Sequence, residues 1–302
     1  MKMIPAFLTT ILFSLSAISA NRSISQLGSN VANASRLLLA AFLLGVIALI
    51  AGEFPGGTVF WIFFLSGVIG FGFGDIGVFY ALPRLGSRLC ILFAQCLAAP
   101  IAGVIEWAWL GSELSGTQVW WAVATLLGVC VALDPLKAKG VRKDMWRSGA
   151  LFGLLAAVGQ GAGAVVSRYG YDIVSEEALV LPPMTAAFFR VLGGLLVAAL
   201  ALRLLRPRSV PGEFKKRGRW NRKTVVFIVA NALAGPVLGV SCYQWALAVR
   251  PSFVVLPIVA LTPVVVMPMS MIWEGDRPSV VSVVGSVFAV LSAVMLTLAT
   301  LG

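Results

Sequence analysis

The sequence predicts an all-α integral membrane protein, with ten transmembrane helices arranged as two inverted five-helix repeats. Three observations predict it. The 302 residues are 59% hydrophobic and only 12% charged, with a mean hydropathy of +0.96. Soluble domains carry roughly 25% charge, so lipid is the solvent that suits this balance. Ten apolar segments approach the length of about 20 residues that a bilayer crossing needs. The chain also repeats itself. YALPRLGSRLCILFAQCLAAPIAGVIEWAWLGSE, from Tyr80 to Glu113, returns in outline as WALAVRPSFVVLPIVALTPVVVMPMSMIWEGD, from Trp245 to Asp276. Each copy opens on aromatic-Ala-Leu and passes a basic turn ending at Ser87 or Ser252. A long apolar run follows, interrupted by Pro100 or Pro263, and an acid (Glu113 or Asp276) closes it.

In chain order the expected spans are 4–24, 33–51, 58–81, 87–109 and 117–134, then 148–167, 184–205, 224–248, 252–273 and 279–300. The first has the length of a signal peptide. Its flank carries only Lys2, however, and it has a counterpart in the second half, so it is read as a helix. The chain divides into a first repeat (1–136), a basic linker (137–147) and a second repeat (148–302). Other pairs keep the same order. Arg22, in the first helix, matches Arg168 at the end of the sixth, and Arg36 matches Arg190. Gly70 and Gly74 match Gly235 and Gly239, a small-xxx-small spacing that lets helices approach closely. An odd number of helices per repeat turns the second copy upside down. Carriers built this way place the substrate site where the repeats meet, near the membrane midplane.

Composition also excludes functions. With no His, and with four cysteines inside apolar runs and no CxxC, neither a metal site nor a disulfide framework is expected. No cofactor is expected, and no HExxH, GxSxG or paired-carboxylate motif suggests an enzyme. The net charge of +11 comes from basic residues between apolar runs, so it reads as membrane topology and not as nucleic-acid binding. Loops after helices 1, 3, 5, 7 and 9 carry most of these residues, including Arg84, Arg88, Lys137 to Arg147, the stretch 206–223 and Arg277. The opposite side has Lys2, Arg168 and Arg250. The basic side is expected in the cytoplasm, which places both termini outside. The loop 206–223 faces anionic lipid headgroups in this reading.

Polar residues inside apolar spans are the functional candidates, because lipid does not tolerate them without a purpose. Asp75, among glycines in VIGFGFGDIGVFY, is the candidate to take up and release a proton, or else pairs with Arg22, Arg36 or Arg88. Glu106, flanked by Trp107 and Trp109, is read as reaching water at the interface. Arg36 and Arg190 bridge to a facing acid or headgroup, or grip a substrate carboxylate or phosphate. Gln95 and Gln160 need partners and are read with Tyr80, Tyr243 and Trp245 as walls of a substrate cavity. Pro100 and Pro263 are expected to kink their helices.

The two fives of helices, the aromatic-Ala-Leu opening, the proline in each fourth helix and the acid after it resemble the drug/metabolite transporter superfamily, and its EamA-type members in particular. The family's Gly-Glu-Arg-Leu-Ser turn has its likeness in Gly111-Ser112-Glu113-Leu114-Ser115, and more loosely in Glu274 to Ser279. Its Arg-led second helix resembles Arg36-Leu37-Leu38-Leu39-Ala40-Ala41. The likeness spans nearly the whole chain. It departs at Ser16-Ala17, where the family often has Trp-Gly, and the family's cytoplasmic termini are the reverse of the charge count. The resemblance implies a secondary active transporter in the plasma (bacterial inner) membrane. Its expected cargo is a small metabolite, such as an amino acid or related organic anion or zwitterion, exported by alternating access. The expected partners are that solute and membrane lipids, with the chain a monomer and not a dimer. A lipid or lipid-headgroup translocase of the same fold is the alternative.

Overall fold

The computed structural model describes residues 4–52, 54–110, 115–133, 145–204, 220–250 and 252–301, and all regular structure in them is helical. Glu113, most of the 137–147 linker and most of the 206–223 loop lie outside the described residues. Among the described residues six helices are long and apolar enough to cross a membrane, accompanied by shorter apolar ones. The outer surface is as apolar as that requires, with Leu49 72% and Ile50 81% exposed. A soluble protein does not present such a surface to water.

Helix α1 (Ile4–Leu27) hands over to α2 (Ser29–Ala51) at Gly28. The next segment, helical over 52 residues, contains α3 (Thr58–Gly67), a π-helical stretch at Val68–Gly74, α4 (Asp75–Ile91), a second at Leu92–Cys96, and α5 (Ala98–Leu110). It is not one rod. Gly86 sits at φ 74°, ψ 167°, a conformation that costs other residues steric strain, and the chain turns there between the expected spans 58–81 and 87–109. Helix α6 (Gly116–Leu133) follows. Helix α7 (Trp146–Glu176) outruns its expected end at 167, so Arg168 lies within the helix and not at its end. The i,i+4 pair Arg168–Asp172, at 2.5 Å, supports the extra turns beyond the apolar run. Then come α8 (Pro183–Leu204), α9 (Arg222–Ala232), a third π-helical stretch at Leu233–Val237, α10 (Leu238–Val249), α11 (Ser252–Val259), α12 (Thr262–Trp273) and α13 (Val280–Leu301).

The expected kinks take a different form. Pro100 is the third residue of α5 and Pro263 the second of α12, and each follows a break, at Leu97 or at Ala260–Leu261. In a first turn, proline's missing N–H has no helical partner to lose. The break therefore precedes the proline instead of bending around it.

Helices of the first half pack on helices of the second. Helix α2 lies against α8, α6 against α13, and α1 against α9 and α10, while α7 lies against α3, α4 and the stretch between them. Glycines permit the closest of these approaches. A Cβ on Gly77 would meet the Ala156 backbone nitrogen at 2.5 Å, which locks α4 onto α7.

Candidate functional site

A cavity of about 60 Å3 lies in the middle of the bundle, where both halves contribute walls. Six of the expected residues border it: Arg36 from α2, Asp75 at the start of α4, Gln95 from the second π-helical stretch, Gln160 from α7, Arg190 from α8 and Tyr243 from α10. Tyr80 and Trp245 stand apart. Tyr80 packs on Phe152 with ring centroids 5.1 Å apart, and Arg84 lies over both rings. Trp245 is half exposed on the outer surface, where an amphipathic ring suits lipid. Matching places in a repeat do not give matching surroundings.

Arg36 is 4% exposed and paired. Its Nε donates to Asn33 Oδ1 at 3.1 Å, its Nη2 pairs with Asp75, and its guanidinium lies 4.7 Å from the Phe79 ring centroid. Of the partners open to Asp75 on sequence grounds, Arg36 is the one the fold delivers. Arg190 is 2% exposed, and its Nε and Nη1 have no hydrogen-bond partner. Its charge rests against the faces of Phe71 (5.5 Å) and Tyr243 (5.9 Å). The Tyr243 hydroxyl is likewise buried and unpartnered.

The paired glycines make room for these two cations crosswise. A Cβ on Gly70 would stand 2.7 Å from Arg190 Nη2, and one on Gly235 would stand 3.1 Å from Arg36 Nη1. A glycine of each half thus admits the arginine of the other.

Two polar clusters bind helix ends together. In the first, the Ser87 hydroxyl donates to Glu274 Oε1 at 2.6 Å and Asn21 Nδ2 donates to the same oxygen at 2.8 Å. Arg88 pairs with Asp276 at 2.6 Å and donates to Ser282. In the second, the Ser252 hydroxyl donates to Glu106, and Arg168 Nη1 donates to the Leu247 carbonyl at 3.0 Å. Glu106, expected at the water interface, is 7% exposed and committed to Ser252. The tryptophans beside it, Trp107 and Trp109, face outward in its place. Arg88, a possible partner of Asp75 on sequence grounds, instead meets Asp276 and Ser282, and Ser282 had no assigned role. The signal for Ser87 and Ser252 was present in the repeat, because both close its basic turn.

No group of three or more His, Cys, Asp or Glu able to hold a metal occurs among the described residues. The EamA-like transporter family matches residues 147–298, about half of the chain. A solved structure described as "Crystal structure of protein" is 20% identical, with a TM-score of 0.66 over 99% of this chain and 96% of its own. At that identity the likeness concerns the fold. None of the curated proteins matches the chain.

Proposed function

Since the chain belongs to the EamA-like transporter family, part of the drug/metabolite transporter superfamily, we propose that it is a secondary active transporter of a small metabolite working by alternating access. The observation that carries this reading is the central charged cavity, lined from both halves of a multi-pass membrane protein. Burying Arg36, Asp75 and Arg190 away from water is costly, and a solute that binds there gives those charges a use.

Ten crossings in two inverted repeats fit this reading. The 52-residue segment counts as two passes because it turns at Gly86, and α6, the pair α11–α12, and α13 complete the ten. With that count, every residue of the first polar cluster falls at the end of an odd-numbered crossing or the start of the next. Every residue of the second falls toward the end of an even-numbered one or at the start of the next. The two clusters then close opposite ends of the cavity. Their cores are repeat-related, since Ser87 and Ser252 differ by 165 positions and each donates to a glutamate of the other half. The packing supports the same symmetry: exchanging the halves carries the contact of α1 with α9–α10 onto that of α7 with α3–α4, and leaves α2–α8 and α6–α13 unchanged.

At about 60 Å3 the cavity has room for only about four or five waters. A metabolite therefore needs one cluster to open while the other holds, which is alternating access. Export of an amino acid or related organic anion or zwitterion, with Asp75 carrying a coupled proton, is the specific form we propose. The test is flux in liposomes holding the purified protein and a panel of labelled amino acids and organic acids, with and without a proton gradient. Gradient-dependent movement of at least one solute is expected. No movement under either condition would refute the reading.

A further inference from the structure

We propose that Arg190 is the point at which the cavity binds a carboxylate, so that the solute presents one such group to α8. This deepens the transport reading above and rests on it for its physiological sense. Among the residues lining the cavity the charged ones are Arg36, Asp75 and Arg190. Asp75 neutralises Arg36, which leaves one surplus positive charge. That surplus suits a monoanion better than a phosphate dianion.

The two arginines are repeat counterparts, but among the described residues only Arg36 has an acid in direct contact, while Arg190 feels the same Asp75 only from a distance. The shift of 165 that takes Gly70 to Gly235 and Gly74 to Gly239 takes Asp75 to Val240. Both Asp75 and Val240 border the cavity. Where the first half supplies an acid for its arginine, the second half supplies an isopropyl group. Arg190 therefore stands buried with Nε and Nη1 unbonded, and the Tyr243 hydroxyl, on a ring against which that guanidinium rests, is unbonded too. Native structures rarely leave several adjacent buried donors unpaired. A guanidinium matches the planar geometry of a carboxylate, and a phenol adds a further donor to it. The ligand supplies the acceptor oxygens that residue 240 does not.

The test uses the full-length protein in lipid nanodiscs with acetate as the probe, because acetate is small enough for a cavity of about 60 Å3. Melting temperature is followed against potassium acetate, with potassium chloride, inorganic phosphate and neutral acetamide as equimolar controls. The series runs to about 100 mM, some tenfold above a Kd of about 10 mM, where ligand linkage gives a readable shift. Acetate is expected to raise the melting temperature in a saturable way that none of the controls reproduces. No shift, or an equal shift with acetamide, chloride or phosphate, would overturn the proposal on the wild-type protein alone. In Arg190→Gln the acetate shift should vanish while the ligand-free melting temperature stays level or rises, because an unpaired buried cation has been removed. A lower ligand-free value together with a retained acetate shift would make Arg190 purely structural and end the proposal. Tyr243→Phe should shrink the acetate shift with no loss of ligand-free stability. Binding here is read without flux. Failure to bind acetate by a protein that moves solutes defeats only this inference, whereas binding without any flux in liposomes defeats only the transport reading.

Discussion

Arg36 and Arg190 hold matching places in the chain and opposite situations in the fold, and the difference should be measurable as stability. Removing the Arg36 guanidinium leaves Asp75 as an unpaired buried charge, which typically costs about 3–5 kcal/mol. Arg36→Gln should therefore unfold at markedly lower denaturant or temperature than the wild type, while Arg36→Met with Asp75→Leu recovers most of the loss. If the single and double variants were equally unstable, the pair would not be what holds this region. Asp75→Asn separates charge from geometry, because its amide oxygen can still accept from Arg36 but it carries no titrating group. In liposomes it should abolish the dependence of flux on the proton gradient and spare solute exchange. A retained gradient dependence would move the coupling elsewhere.

Elements set which of these residues meet. Gly86 breaks the helical path inside α4, and the Ser87 and Arg88 next to it reach Glu274 and Asp276. Gly86→Ala should cost about 1–3 kcal/mol, the strain of a side chain in this glycine-only region at positive φ, read as a lower unfolding midpoint. The two clusters should act as separate latches. With the native cysteines replaced and Gln95→Cys introduced as a reporter in the cavity, Glu274→Gln should speed thiol labelling by a water-soluble reagent from one face of the membrane. Glu106→Gln should speed it from the other. Equal acceleration from both faces by either substitution would mean that the clusters brace the fold and do not gate it.

The whole molecule is a bundle whose halves interleave, helix by helix, with apolar side chains turned outward and polar ones inward. Orientation belongs to this scale. From the lysines and arginines between the spans we propose that one face of the bundle lies in the cytoplasm and both termini outside. A C-terminal reporter that is active only outside the cytoplasm should report signal, and one that works only in the cytoplasm should stay silent. The reverse result would restore the orientation that the family resemblance implies.

Most of the architecture was legible because lipid enforces a simple rule. Backbone groups in a bilayer must bond within their own segment, so apolar runs of sufficient length become helices, and Arg36, Asp75, Gln95 and Arg190 stood out against them. The spacings of Ser87 and Ser252 and of Pro100 and Pro263 carry the duplication that we propose. The partners were not legible. Whether Asp75 meets Arg22, Arg36 or Arg88 depends on helix rotation and crossing, which sequence periodicity does not encode at this precision. The repeat also hid the asymmetry, since Tyr80 and Trp245 match in sequence while neither lines the cavity. The sequence by itself determined the solvent, the helical class and the list of out-of-place charges. Only the tertiary structure decided which charge is satisfied and which is left open, because a counter-ion is a neighbour in space and can come from either half of the chain.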